Sequence, residues 1–279
     1  MLADYHVHTE FSDDCKEEME TVVRQAIALG IKELCFTDHV DYGIKVDQDE
    51  YQKMSESEKI KVGTNLNVNY PVYFQKIRSL RAKYQTEITI RQGLEFGIQT
   101  HTIDRYEKLF SAYPLDFVIL SCHQVGDREF WNGDFQKGKT PKEYNECYYE
   151  EIYSCIKRYK NYSVLGHLDM IQRYNDEVYP FEASKELITD ILRLVICDGK
   201  GIEVNTSSFR YGLKDLTPCT EILKLYLELG GQILTIGSDC HKAAEAGDRI
   251  LHVRDVLKEI GYTQFCTFEN MVPVFHSLS

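Results

Sequence analysis

The sequence predicts an α/β fold of the (β/α)7-barrel type, on three observations. Short apolar runs alternate with segments of helical spacing, the pattern of a parallel sheet covered by helices. Nearly every apolar run ends in His, Asp, Glu or Asn, and in a barrel the C-terminal strand ends converge on one mouth. An open doubly wound sheet would spread these residues along a line and would usually carry a glycine-rich phosphate loop, which is missing here. At 279 residues, the chain fits the size of α/β barrels that fold as one unit, so residues 1–279 are expected to form a single domain.

The elements follow in order. Ala3 to His8 is the first expected strand, and Met19 to Leu29 has helical spacing with Gly30 placed to end it. Glu33 to His39 is the second strand. Asp41 to Tyr70 is polar and irregular and lies on the side of the ligand-bearing ends, so it is expected to be a lid or a flexible insertion. A helix over Tyr73 to Tyr84 leads to the third strand, Ile88 to Phe96, and Phe117 to His123 is the fourth. A helix over Tyr144 to Lys160 precedes the fifth strand, Ser163 to His167, and one over Glu182 to Asp198 precedes the sixth, Gly201 to Asn205. In the last expected helix, Cys219 to Leu229, the side chains of Ile222, Leu223, Tyr226 and Leu229 share a face. Gln232 to His241 is the seventh strand.

Composition narrows the function classes. A net charge of −12 without a basic block disfavours extended nucleic-acid binding. An anionic small substrate remains compatible, because metal ions can reverse the potential inside one pocket. Nine scattered cysteines without a C-x-x-C pair fit a reducing cytoplasm better than a disulfide framework. The N-terminus has no secretory apolar region and no run reaches the ~18 apolar residues of a span, so a cytoplasmic protein without membrane contact is expected.

The chemistry lies at the strand ends. His6 and His8 flank Val7, so on a strand both imidazoles face one way and can chelate an ion. Asp13 or Asp14, in the loop that follows, can add a carboxylate. Thr37-Asp38-His39 ends the second run, Glu95 the third, Ser121-Cys122-His123 the fourth, and Gly166-His167-Leu168-Asp169 the fifth. Gly237-Ser238-Asp239-Cys240-His241 ends the seventh and repeats the spacing of two. Six of the nine histidines thus take corresponding positions, which scattered core histidines would rarely do. Cys122 and Cys240 should face away from their neighbouring histidines and pack. Trp131 and Phe130 either wall a pocket or pack in the core. His101, His252 and His276 fall outside the pattern.

Together these motifs resemble the polymerase and histidinol phosphatase (PHP) superfamily, and the resemblance spans residues 6 to 241. Ile171-Gln172-Arg173-Tyr174 and the Glu203 to Arg210 segment are similar to those of its histidinol-phosphate phosphatases. The resemblance implies a distorted (β/α)7 barrel with three divalent metal ions, zinc, iron or manganese. It implies one ion on His6, His8, Glu95 and Asp239, a second on Glu95, His123 and His167, and a third on Asp14, His39 and His241. Glu95 would bridge. Many relatives have a histidine where this chain has Asp14, which could re-tune the third site.

Metal ions address both obstacles to phosphate-monoester hydrolysis, the repelled nucleophile and the poor leaving group. Arg173 and Arg210 are candidates for binding the phosphate and Gln124 for a further hydrogen bond, while a metal-bound water, Asp239 or His241 could protonate the leaving oxygen. Glu203 or Asp169 could favour a cationic substrate. The implied reaction is hydrolysis of the small monoester L-histidinol phosphate. The alternatives are a nuclease or nucleotide phosphodiesterase and a non-catalytic metal-binding protein.

Overall fold

The computed structural model describes residues 1–175 and 177–279. Seven parallel strands pair in chain order: β1 (Ala3–Asp4), β2 (Glu33–Phe36), β3 (Thr89–Gly97), β4 (Phe117–Ser121), β5 (Val164–Leu165), β6 (Gly201–Asn205) and β7 (Leu234–Gly237). A short segment, His39–Val40, pairs beside the end of β3. Beyond Asp4 and Gly237 the chain leaves regular strand geometry but keeps pairing. Tyr5 N donates to Ile236 O at 3.1 Å, Asp239 N to His6 O at 2.8 Å, and His8 N to Cys240 O at 3.0 Å. These bonds bring β7 back to β1, so the expected barrel forms.

The strands are apolar runs because both faces are covered. All five residues of β4, Phe-Val-Ile-Leu-Ser, are buried. A helix follows every strand: α1 (Met19–Ala28), α2 (Tyr70–Lys83), α3 (Ile103–Ala112), α4 (Pro141–Arg158), α5 (Phe181–Cys197), α6 (Thr220–Glu228) and α7 (Ile250–Ile260). In α4, the hydroxyl of Thr140 and the carboxylate of Glu143 form a reciprocal capping box and Pro141 opens the first turn, so its start is specified locally. Its buried Tyr144, Tyr148, Ile152 and Cys155 follow helical spacing onto the barrel. Among the described residues, no helix is long and apolar enough to cross a membrane.

Three features differ from expectation. Helices α3 and α7 were not among the expected elements, although their buried residues, Ile103, Tyr106 and Leu109, and Ile250, Val253 and Leu257, keep helical intervals. The Asp41 to Tyr70 stretch is not wholly irregular, for it carries helices Gln48–Lys53 and Glu56–Val62, each opened by a capping box. Finally, an antiparallel hairpin, Gln264–Glu269 with Val272–Ser277, follows α7.

That hairpin covers the N-terminal end of the barrel. Tyr5 Oη donates to Glu33 at 2.5 Å and accepts from Phe268 N at 2.8 Å, while Arg91 bridges Glu33 and Glu269 at 2.9 and 3.1 Å. Phe268 packs on Phe117 with ring centroids 5.1 Å apart. The opposite end, where the strands finish, remains open.

Candidate metal centre and substrate cavity

At that open end, the strand ends aim a cluster of imidazoles and carboxylates into a cavity of about 470 Å³. Glu95, on β3 and wholly buried, is the hub. Its Oε1 lies 3.1 Å from His123 Nε2 and 2.9 Å from His167 Nε2, and its Oε2 lies 3.2 Å from His6 Nε2 and 2.9 Å from His39 Nδ1. Ser121 Oγ donates to it at 2.7 Å. Asp239 Oδ1 stands 3.3 Å from His8 Nε2 and 3.6 Å from His6 Nε2. Asp239 holds a left-handed backbone, φ 54°, a conformation uncommon outside glycine and concentrated at functional sites.

The two aspartates after His8 part company. Asp13 accepts from Lys45 Nζ at 2.6 Å, whereas Asp14 Oδ2 lies 3.1 Å from His241 Nε2 and 3.6 Å from His39 Nε2. The strands thus bring together all nine residues named as candidate ligands. Four groups of donor atoms lie within 4.8 Å of one another: His8, His39 and His241; His6, Glu95 and His167; His6, His8 and Asp239; and His39, Glu95 and His123. These groups overlap, with His39 reaching both Glu95 and Asp14. A fifth group, Asp215, Cys219 and Glu221, lies elsewhere, and its Asp215 accepts from the Leu216 and Thr220 amides at 2.7 and 2.8 Å.

Behind the cluster, the outward nitrogens of three imidazoles are held. His6 Nδ1 donates to Glu203 Oε1 at 2.5 Å, His123 Nδ1 to Asp41 Oδ1 at 2.7 Å, and His8 Nδ1 to Ser12 Oγ at 3.3 Å. Ser12 in turn donates to Asp38 at 2.7 Å. Such contacts fix the ring and turn the inner nitrogen toward the cavity. Two glycines make room for them. A Cβ on Gly237 would meet His6 Cβ at 2.3 Å, and one on Gly97 would meet Asp41 Oδ1 at 1.8 Å.

Electrostatically the cluster calls for positive charge. Burial disfavours charge on His6, yet Glu203, Glu95 and Asp239 outweigh it and hold the imidazole well above its ordinary value. Burial likewise opposes charge on His123, but Glu95 and Asp41 lift it to about 9. His8 is pushed well down by burial and by neighbouring His39 and His241. Burial would raise Glu95, but His6, His123 and His39 keep it well below the carboxylate range.

The remaining candidates divide. Arg173, its side chain 4% exposed, lines the cavity, stacks 4.3 Å over the Tyr211 ring, donates to Ser207 Oγ at 2.7 Å and lies 3.6 Å from Asp239 Oδ2, and among the described residues its Nε has no hydrogen-bond partner. Arg210, expected at the phosphate, is not among the cavity-lining residues. It donates to the carbonyls of Ser238 and Asp239 at 2.7 and 2.8 Å and to Asp248 at 3.2 Å, holding the turn that carries Asp239. Gln124 lines the cavity, with its Nε2 donating to Gly97 O at 2.9 Å. Trp131 is a wall, while Phe130 packs into the core against Phe135 and Tyr148. Glu203 and Asp169 do not reach the cavity, since Glu203 binds His6 and the His167 amide and Asp169 accepts from the Cys219 amide at 2.9 Å.

The family model described as "PHP domain" matches residues 4–207. The chain belongs to the PHP family. The histidinol-phosphatase of Lactococcus lactis subsp. lactis is 32% identical over 96% of this chain and 94% of that one. A Schizosaccharomyces pombe protein named "Probable histidinol-phosphatase" is 27% identical over 95% of this chain and 88% of its own length. The crystal structure of the L. lactis histidinol phosphate phosphatase, complexed with zinc, L-histidinol and phosphate, superposes with a TM-score of 0.84 at 30% identity, covering 98% of each chain. Within this PHP chain, the residues that sequence reasoning missed are Ser12, Asp38 and Asp41 behind the imidazoles and Lys45 between two carboxylates. Asp38 alone carried a signal, as the middle of Thr37-Asp38-His39.

Proposed function

We propose that this protein is a metal-dependent phosphomonoesterase that hydrolyses L-histidinol phosphate to L-histidinol and phosphate. The observation that carries the reading is the convergence of buried donor atoms that, among the described residues, have no hydrogen bond: His6 Nε2, His8 Nε2, His39 Nδ1 and Glu95 Oε2. Buried polar atoms are ordinarily satisfied, and a cation is the partner that lone pairs on imidazole and carboxylate share. The residues therefore fit the group implied by the family. We assign one ion to His6, His8, Glu95 and Asp239, a second to Glu95, His123 and His167, and a third to Asp14, His39 and His241. Zinc is the ion in the L. lactis structure, and all these donors accept it. Bound there, divalent ions supply Lewis-acid charge for the phosphate oxygens and lower the pKa of water at neutral pH.

The chain's own residues do the rest. Arg173, stacked on Tyr211 and anchored by Ser207, presents to the phosphate in a fixed orientation a guanidinium whose Nε has no partner among the described residues. Glu95 keeps its position through Ser121. Asp239 and His241 both line the cavity, with Asp239 Oδ1 3.8 Å from His241 Nδ1, and either can hold the proton that the departing alkoxide takes up. Gln124 steadies the wall. His6 at the start of the ring and Asp239 at its end belong to one site, which supports residues 1–279 acting as one catalytic domain.

A cavity of about 470 Å³ suits a small monoester rather than a polymer, and the acidic exterior repels nucleic acid. Phosphate release from L-histidinol phosphate, nucleoside monophosphates, sugar phosphates, a phosphodiester and single-stranded DNA tests the reading. L-Histidinol phosphate is expected to give the highest kcat/KM. Activity on the diester or DNA without activity on L-histidinol phosphate would overturn it.

A further inference from the structure

The charge on the cavity wall is unevenly committed. Of the carboxylates lining it, Asp13 is paired with Lys45, Asp14 with His241, Asp41 with His123 and Lys45, and Glu95 and Asp239 with the imidazole cluster. Glu129 also lines it and has no such partner. One hydrogen bond reaches its carboxylate, from Asn132 Nδ2 to Oε2 at 3.2 Å, and among the described residues no Lys, Arg or His lies within ion-pairing distance. Arg173 lines the same cavity and pairs with Asp239 at 3.6 Å, but it stands beyond ion-pairing distance of Glu129, which leaves that carboxylate uncommitted.

The placement of Glu129 is built into the fold. It sits on a hairpin, Gln124–Val125 with Arg128–Glu129, in which Gln124 and Glu129 are direct cross-strand neighbours. Their side chains therefore share a face, and both line the cavity while Val125 and Arg128 do not. The two turn residues, Gly126 and Asp127, have φ of 60° and 57°, as a tight two-residue hairpin turn needs. Asp127 is tied down by Gln99 Nε2 at 2.8 Å and His101 Nε2 at 2.9 Å. The aromatic side chains of Trp131, Tyr174 and Tyr211 complete the wall around it.

We propose that Glu129 is the specificity-determining residue of this cavity, the carboxylate that takes the ammonium group of an amine-bearing phosphomonoester. The inference rests on the phosphomonoesterase reading and adds the recognition of the organic half of the substrate. An ester whose protonated amine branches from the carbon beside its phosphate-bearing CH2 can offer the phosphate to Arg173 and the ammonium to Glu129 on separate parts of the cavity wall. An ammonium ion supplies donors for the open carboxylate oxygen, and its charge-assisted bonds are the strong ones. Trp131 and Tyr174 offer faces against which a ring such as imidazole can lie.

The test compares Glu129→Gln and Glu129→Asp with the wild-type protein, all zinc-loaded, on L-histidinol phosphate and on the same ester lacking the amine. Glu129→Gln is expected to lower kcat/KM on L-histidinol phosphate by about 10- to 100-fold, mainly through KM, as the loss of a charge-assisted hydrogen bond implies. The loss on the amine-free ester is expected to be at least tenfold smaller, and Glu129→Asp is expected to recover part of the preference. Equal losses on both esters, or no loss on either, would overturn the assignment while leaving the phosphatase reading intact. A wild-type protein inert on L-histidinol phosphate would overturn that reading and this inference with it.

Discussion

The His6 imidazole is gripped from both sides. Glu203 takes its outer nitrogen at 2.5 Å, and the inner nitrogen faces Glu95 at 3.2 Å. Glu203 also accepts the His167 amide at 2.9 Å, so one buried carboxylate sets the tautomer of one candidate ligand and the backbone of another. Glu203→Gln is expected to weaken zinc binding roughly 10- to 100-fold, the usual effect of losing such a partner, when measured by competition with a chromophoric chelator. Unchanged zinc affinity would remove Glu203 from this role. The candidate ligands were legible in the sequence because spacing of two on a strand places both side chains on one face. Their supports were not, since Glu203 meets His6 across 197 positions of the chain and only the closed barrel brings them together. Arg210 shows the reverse difficulty: a guanidinium just beyond a strand reads as an anion site, but here it holds carbonyls.

Among the elements, the segment after β2 bears most directly on the site. Lys45, almost fully buried, joins Asp13 at 2.6 Å and Asp41 at 2.9 Å, and Asp41 passes the constraint to His123 at 2.7 Å. The insertion is thereby anchored to the imidazole and carboxylate cluster rather than free to swing at its base. Lys45→Met is expected to destabilise the protein by about 3 kcal/mol, because it leaves two carboxylates without their buried cation. Denaturant unfolding with zinc held constant measures it, and a change below about 0.5 kcal/mol, the ordinary range for a surface substitution, would contradict the account. The two insertion helices escaped the sequence because neither buries a residue, so they carry capping boxes but no apolar stripe. Helices α3 and α7 did carry a stripe and could have been read from it. The terminal hairpin follows the last ligand-bearing strand, where the repeating pattern that organised the reading stops.

At the scale of the whole molecule, the barrel has one plugged end and one reactive end. Tyr5, Glu33, Arg91 and Phe268 close the first. The strand order was legible because apolar runs and polar ends recur in register with the fold. Closure into a barrel was legible too, from the convergence of those polar ends, but the bonds that make it, between residues 5–8 and 236–240, lie outside regular strands and carried no signal of their own. The acidic exterior encloses a cavity whose arginine and candidate metal donors invite an anion, and the central claim is that these donors act through bound metal on L-histidinol phosphate. Phosphate release from this ester by protein stripped with chelator and then resupplied with zinc tests that claim most directly. The stripped protein is expected to be inactive and zinc to restore turnover. Full turnover by the stripped protein, or inactivity of the folded, zinc-loaded protein on this ester, would contradict it.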